Sequence, residues 1–375
     1  MPNNFFHLSG IREISFSIDD ETIKYLKNKW QTHVAAIEDY PLSRYSGKGI
    51  VICAGGIQYF TCAWVTIRQL RHIGCNLPIE LWFSENELSE EVIDMLKRFD
   101  VICKKFEDFS DTSSLSGVML KPLAIIQSQF EDVLFLDADN NCLADPSFLF
   151  NIPEYLNTGA VFWPDYWKTA PDNPIWAITD STNYSMHEQE SGQLIINKKK
   201  CWKEINLCLY FNQNHKIYHK MLLGDKDTFR FAWFALKSEF HMIIKELSTC
   251  GFFNNNKDFI GNTMVQHSTN SDILFLHRNL YKWDVTDTNE KTWQSIREFK
   301  QTPQNKTYIL QPGCMNIDGD VKEYRVSRNI RMLEYTCLSF LNELRKEDFY
   351  ARFFIHQHLT NFRKINKVIP YSTRE

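Results

Sequence analysis

The sequence predicts an α/β protein built on a mixed, Rossmann-like sheet flanked by helices, with helical additions at both ends. Three observations predict it. Short apolar runs alternate with helix-patterned segments over about ninety residues from Gly49 onward, the rhythm of parallel strands joined by crossover helices. The first run breaks at a glycine pair, Gly55 and Gly56. The fourth, "VLFLDADNN" from Val133, ends in an acidic pair, Asp137 and Asp139. The carboxyl ends of the parallel strands in such a sheet border one crevice, which puts both features on the same side.

Taken in order, residues 1–46 read as a helical appendage, with apolar spacing from Ile23 to Ile37 and a stop near Pro41. Residues 47–300 read as the main domain. "GIVICAGG" (Gly49 to Gly56), "IELWFS" (Ile79 to Ser84) and "VICKKF" (Val101 to Phe106) are strands, and Tyr59 to Ile73, Leu88 to Phe99 and Leu120 to Phe130 are the helices that alternate with them. After Asp139 the pattern becomes mixed: strands in Ala160 to Trp167 and Ser191 to Lys200, helices at Trp202 to Phe211 and Lys226 to Leu236, and a closing strand in "DILFLHRNLYKW" (Asp272 to Trp283). Residues 301–375 read as a helical extension with amphipathic helices at Ile330 to Leu344 and Phe349 to Phe362 and a basic excess at Arg363 to Lys367. That run is expected to be a solvated face, with peripheral membrane contact as the lesser alternative.

Composition narrows the classes of function. With 43% hydrophobic and 23% charged residues, the 375-residue chain buries a sizeable core. A net charge of −4 without a dense basic run before the last fifty residues gives no footprint for nucleic acid. An aromatic content of 14% suits an aromatic core, or a pocket that stacks a flat ligand. The ten cysteines form no C-x-x-C pair and lie mostly in apolar runs, as reduced core thiols do. No signal peptide and no run of ~18 apolar residues is present, so the chain as written reads as soluble and cytoplasmic, with no transmembrane segment. The sequons at Asn183 and Asn305 would matter only in a secretory lumen.

The acidic pair carries the chemistry. Alternate residues of an extended strand face the same way, so Asp137 and Asp139 share one side. At the end of a buried strand, unpaired carboxylates are costly without a cation. A hard divalent ion, Mn²⁺ or Mg²⁺, fits that need, because it takes oxygen ligands and leaves positions for a phosphate. Without it, each carboxylate–phosphate contact at ~4 Å would cost about 4 kcal/mol at an effective dielectric of 20. The D-x-D spacing recurs at Asp225/Asp227 and Asp318/Asp320; the last lies in a glycine-punctuated turn, "NIDGDV", and reads as a surface loop. A haloacid-dehalogenase phosphatase also ends a strand in D-x-D, but Asn140–Asn141 follow here instead of the Thr or Val such enzymes carry.

The segments "LPIELWF", "LKPLAIIQSQFEDVLFLDADNNCLADPSFLF", "GAVFWPDYW", "ESGQLIINKK", "GDKDTFRFA" and "FLHRNLYKW" together resemble the fungal-type α-mannosyltransferases of glycosyltransferase family 71. Those look like relatives of the retaining GT-A enzymes that include glycogenin. The resemblance runs from about Gly49 to Trp283. It implies a GT-A fold with its catalytic domain at 47–300, GDP-mannose as donor, Mn²⁺ (or Mg²⁺), a glycan, glycolipid or protein hydroxyl as acceptor, and transfer with retention. Fungal members are usually held in the Golgi by an N-terminal membrane helix, so the Golgi lumen is expected only for a truncated form of an anchored protein.

Carried over by position, the resemblance makes Asp137, Asp139 and His277 the metal ligands. It gives Ala54, Gly55, Gly56, Lys121, Ala138 and Lys282, with both aspartates, to the donor site. Glu190, Gln193, Asp225 and Asp227 line the sugar and acceptor side. Each has a plainer alternative: His277 a core histidine with His267 as rival ligand, Asp225 and Asp227 helix-start acids, Lys121 a snorkelling surface residue, and Asp165 an acceptor contact or a turn former. Three other functions stay open: a UDP-sugar transferase, a catalytically silent carbohydrate-binding scaffold, and a nucleotidyltransferase, for which "CAGGIQYF" lacks the basic residue.

Overall fold

The computed structural model describes residues 4–85 and 87–352. The chain starts with a hairpin, β1 (Asn4–Phe6) and β2 (Ile11–Ile14), followed by helix α1 (Asp20–Ala35). Asp19 caps α1 by accepting the Thr22 N–H at 2.7 Å, and Trp30 anchors the helix by donating to Ile178 O at 2.9 Å. The segment expected to be only helical thus contains two strands. Three and four residues are too few for a period to show, and β2 is held by pairing with a later strand rather than by its own pattern.

The alternating region folds as expected: β3 (Lys48–Cys53), α2 (Gly56–His72), β4 (Ile79–Phe83), α3 (Glu90–Lys97), β5 (Val101–Lys105), α4 (Lys121–Gln127) and β6 (Asp132–Leu136). These four strands are mutually parallel, β3 lying between β4 and β6. Covered by helices, β4 is buried at every position and β6 at all but the first. Beyond β6 the chain makes β7 (Asn140–Cys142), α5 (Pro153–Thr158), β8 (Ala160–Pro164), β9 (Lys168–Thr169), α6 (Ile175–Thr179) and β10 (Gln189–Asn197). Strand β10 inserts antiparallel between β6 and β8, and β9 takes β2 as a parallel partner. Helices α7 (Trp202–Gln213), α8 (His215–Met221) and α9 (Lys226–Leu236) then lead to β11 (His241–Met242), which completes the seven-stranded order β11-β8-β10-β6-β3-β4-β5. This is the mixed, helix-flanked sheet of the expected GT-A layout.

A second sheet is assembled from β12 (Ser248–Phe253), β13 (Phe259–His267), β14 (Ile273–His277), β15 (Ser295–Phe299) and β18 (Val321–Arg325), with the hairpin β16 (Lys306–Gln311) and β17 (Cys314–Gly319) beside it. Strand β7 pairs with β14 at its edge, so the three residues between β6 and β7 pass from one sheet to the other. Two expectations are corrected here. Residues 306–325 form strands rather than helix, and a domain limit at 300 would cut the pairing of β15 with β18. Their faces are only half-buried, and that blurs the alternation. Of the Asp318/Asp320 pair, expected in a surface loop, Asp318 is exposed but belongs to β17, and Asp320 lies in the bend before β18, where it accepts the Gln304 and Asn305 N–H groups at 2.8 and 3.0 Å.

Helix α10 (Arg328–Leu344) matches the expected helix and packs on α2, where Trp64 donates to Phe340 O at 3.0 Å. The basic run at 363–367 and most of the second amphipathic helix lie outside the described residues. All ten cysteines are free, as the reduced-thiol reading expects. No helix among the described residues is long and apolar enough to cross a membrane.

One surface contact ties β16 to the body of the protein. Lys306 Nζ lies 2.6 Å from Glu246, and His187 Nε2 lies 3.6 Å from it. The bond from His187, with Lys306 behind it, outweighs burial and lowers the Glu246 carboxyl from its ordinary 4.5 to about 2. Between those values the unfolded chain binds more protons than the folded one, so stability is present above pH 4.5 and drains away as pH falls towards 2. Glu246→Gln should remove that part of the acid slope in thermal unfolding followed over pH; an unaltered slope would mean that the contact does not matter.

Candidate active site

At the end of β3, Ala54 and Gly55 turn the chain into α2, and Gly55 is glycine for lack of room. A β-carbon there would come within 1.8 Å of Glu87 Oε2. Gly56 holds a positive φ of 64° and donates its N–H to Glu87 O at 3.2 Å. Beside this turn opens a cavity of about 180 Å³, bordered by Ala54, Gly55, Lys121, Asp137, Ala138, Asp139 and Lys282. Gly56 does not border it. Its work is to fasten the neighbouring turn.

The acidic motif is pinned by its own backbone. The Asp137 N–H donates to Gly192 O at 2.8 Å, and Asp139 O accepts the Arg278 N–H at 3.0 Å, so β10 grips one end of the motif and β14 the other. The side chains then divide. Asp137 accepts from Lys121 Nζ at 2.8 Å, whereas Asp139 accepts from Lys282 Nζ and lies 3.1 Å from His277 Nε2. Lys121 also reaches Asp225 at 3.4 Å and Ser191 Oγ at 3.1 Å, and Ser191 Oγ donates to Asp225 at 3.0 Å. His277 lies between the motif and Glu190, with its Nε2 3.8 Å from Asp137 and its Nδ1 3.4 Å from Glu190.

Four carboxylates, on Asp137, Asp139, Glu190 and Asp225, therefore meet three cationic side chains, on Lys121, His277 and Lys282. Burial opposes the charge of His277, but Asp139 and Glu190 outweigh it and raise its pKa to about 10. Burial likewise works against ionised Asp139, but Lys282 and His277 hold its carboxyl well below the usual range. For Asp137, burial prevails over Lys121 and His277, and the pKa rises. As a ligand to a cation, His277 would have to give up this proton.

The donor atoms of Asp137, Glu190 and His277 lie within 4.8 Å of one another. Two carboxylates and an imidazole suit Mn²⁺ better than Mg²⁺, which prefers oxygen ligands alone, and Nδ1 of His277 is buried without a well-aligned partner. The expected trio was Asp137, Asp139 and His277. The structure adds Glu190 to these residues, while Asp139 keeps one oxygen 3.1 Å from His277 Nε2 and gives the other to Lys282.

Residues 47–183 and 175–270 match the model of the family described as "Mannosyltransferase putative". The chain belongs to this family. It is 26% identical over 342 residues to alpha-1,2-mannosyltransferase MNN5 of Saccharomyces cerevisiae, covering 73% of the chain and 57% of that protein. To alpha-1,2-mannosyltransferase MNN23 of Candida albicans it is 27% identical over 316 residues, with 67% and 51% covered. The chain thus spans between about half and three fifths of these relatives' lengths. Among solved structures, apo mouse xyloside xylosyltransferase 1 matches with a TM-score of 0.38 at 16% identity, over 52% of this chain and 85% of that one.

Within this mannosyltransferase-family chain the second acidic pair is split. Asp225 faces Lys121 and Ser191 at the site, but Asp227 is fully buried behind it, 3.0 Å from Arg230, 3.6 Å from Lys226 and accepting the Gln189 N–H at 3.1 Å. Asp225 is the N-cap of α9 and Asp227 lies two residues on in its first turn, whose inward face takes Asp227 away from the crevice. Asp165 pairs with Lys226 at 2.6 Å. Gln193 is buried and accepts Asn140 Nδ2 at 2.6 Å, which steadies the strand after the motif. His267 lies outside the cluster, and burial holds it neutral with a pKa near 3.

Sequence reasoning missed Tyr59, Trp82, Phe83, Glu87 and Phe106 as cavity residues. Trp82 and Phe83 end β4 and Phe106 follows β5, so their place at the strands' carboxyl ends was the available signal. Gly192 lies directly against the cluster, its N–H donating to Glu190 Oε1 at 2.6 Å. A β-carbon on it would lie 2.4 Å from His277 Nδ1 and 2.9 Å from Glu190 Oε1. Gly192→Ala should push His277 aside and weaken Mn²⁺ binding by about 10–100-fold, the usual range for groups that orient a ligand. Calorimetric titration checks this, and an unchanged affinity would remove His277 from the ligand set.

Proposed function

We propose that this chain is a retaining α-mannosyltransferase that moves mannose from GDP-mannose to a hydroxyl of a glycan or similar acceptor, with Mn²⁺ or Mg²⁺. The observation that carries the reading is the convergence of Asp137, Glu190 and His277 beside a cavity bordered by Lys121 and Lys282, in a chain of a mannosyltransferase family. A divalent ion held by those three residues would supply Lewis-acid charge to a departing diphosphate. Lys282, half-buried at the cavity wall, exchanges its contact with Asp139 for a diphosphate oxygen. Lys121 fixes Asp137 and Asp225 at once and so relates the donor side to the sugar side. Asp225 stabilises the positive charge that develops at the anomeric carbon.

Retention needs attack from the face that the leaving group departs. Asp225 is engaged with Lys121 and Ser191 rather than isolated as a nucleophile, and this supports front-face substitution with the leaving phosphate taking the acceptor's proton. The test is transfer from GDP-mannose to an oligomannoside by the purified chain, with the product's anomeric configuration read by NMR. Transfer with retention supports the reading. Absence of both transfer and hydrolysis with every GDP- and UDP-sugar would leave a silent scaffold, and a glycosyl adduct trapped on Asp225 or Glu190 would replace front-face attack by double displacement.

A further inference from the structure

The cavity contains an acidic side chain that the chemistry above does not use. Glu87 follows β4, and its Oε2 accepts the Ser84 N–H at 2.7 Å. The turn is fastened twice more, by the Glu87 N–H to Ser84 O and the Gly56 N–H to Glu87 O, each at 3.2 Å. The carboxylate is thus aimed by backbone rather than left to swing. Its Oε1 has no hydrogen-bond partner among the described residues. Burial raises its pKa, against the bond from Ser84, which marks a group partly withdrawn from water and not neutralised by a cation.

The wall beside it is apolar, with Trp82 and Phe106 almost fully buried and Tyr59 exposed among the lining residues. Trp82, Phe83 and Phe106 border the same cavity, with the rings of Trp82 and Phe106 5.2 Å apart. The cavity also reaches Asp137, Asp139 and Lys282, so a ligand with its phosphates at the acidic motif has this aromatic, Glu87-bearing wall within the same space.

We propose that Glu87 reads the nucleobase of the donor and selects guanine over uracil. The inference rests on the nucleotide-sugar reading given above. Guanine presents two adjacent donors, N1–H and the N2 amine, which one carboxylate accepts in a charge-assisted pair; Oε2 retains a second lone pair for this while holding Ser84. Uracil presents one N–H between two carbonyl oxygens, which would face the carboxylate as repelling acceptors. Adenine offers an amine beside an acceptor nitrogen. A site built around a carboxylate rejects both, because the mismatch leaves a partly buried polar group unpaired.

The test is calorimetric binding of GDP, IDP, XDP and UDP with Mn²⁺, on the full chain and on Glu87→Gln. IDP differs from GDP only by the N2 amine, so the wild-type protein should bind GDP at least about tenfold more tightly than IDP, and more tightly than UDP. Glu87→Gln should lose the preference for GDP over IDP and gain one for XDP, whose O2 accepts from an amide. Equal binding of GDP and IDP by the wild type, or tightest binding of UDP, overturns the assignment and leaves the nucleotide site standing. Failure of every diphosphate to bind overturns the nucleotide-sugar reading and this inference with it. The wild-type series can overturn the assignment even if the variant does not fold, and a folded Glu87→Gln that keeps the preference for GDP over IDP overturns it as well.

Discussion

Asp139→Ala should reduce mannosyl transfer by at least about 10²–10³-fold, the scale of losing one group that stabilises transition-state charge, and should abolish Mn²⁺-dependent nucleotide binding. The reason lies in the two contacts of its carboxylate. It holds Lys282 at the cavity wall and meets His277 Nε2, so its loss frees both groups that the reading assigns to diphosphate and cation. The fold should survive, because Asp139 is tied to β14 through its backbone oxygen and Lys282 is free to turn to water. Calorimetric titration with Mn²⁺ and GDP, beside a thermal melt, separates the two effects. Unchanged affinities in a folded variant would dismiss the motif as a cation site.

Asp227→Ala should act in the opposite way, on stability. Asp227 belongs to a buried ionic network in which Lys226 bridges Asp165 and Glu188 at 2.6 and 2.5 Å and Arg12, from the N-terminal hairpin, meets Glu188 at 2.6 Å. Removing the carboxylate leaves Arg230 as a buried charge without its counter-ion, at a cost of about 3–5 kcal/mol. Urea unfolding should show a lower midpoint with the slope unchanged. Asp225→Ala, one turn edge away, should leave the midpoint nearly in place while transfer collapses. The reverse ranking of the two variants would show that their roles have been exchanged.

Why one half of this site was legible and the other was not follows from how each part is built. Strands β3, β4 and β6 are largely covered on both faces and come as compact apolar runs, so their order and the position of Asp137 and Asp139 could be read directly. The second sheet hides its pattern. Strand β13 buries Asn262, Thr263, Gln266 and His267 alongside apolar residues, so polarity no longer reports the facing of its side chains. Glu190 joins the candidate ligand set from β10, whose bulge between Glu190 and Ile195 shifts the register in a way that no spacing rule foretells. Asp225 and Asp227 share one short motif, yet only the packing of α9 against its neighbours decides which of them meets the crevice.

The passage of Asp137, Ala138 and Asp139 from β6 to β7 makes the motif a seam between two layers. Asp137 and Glu190 belong to the first layer and His277 to the second. An ion gripped by all three would rivet one layer to the other, so slippage between them and release of the ion become a single event. Mutations far out on the second sheet could then loosen ion binding without touching any ligand.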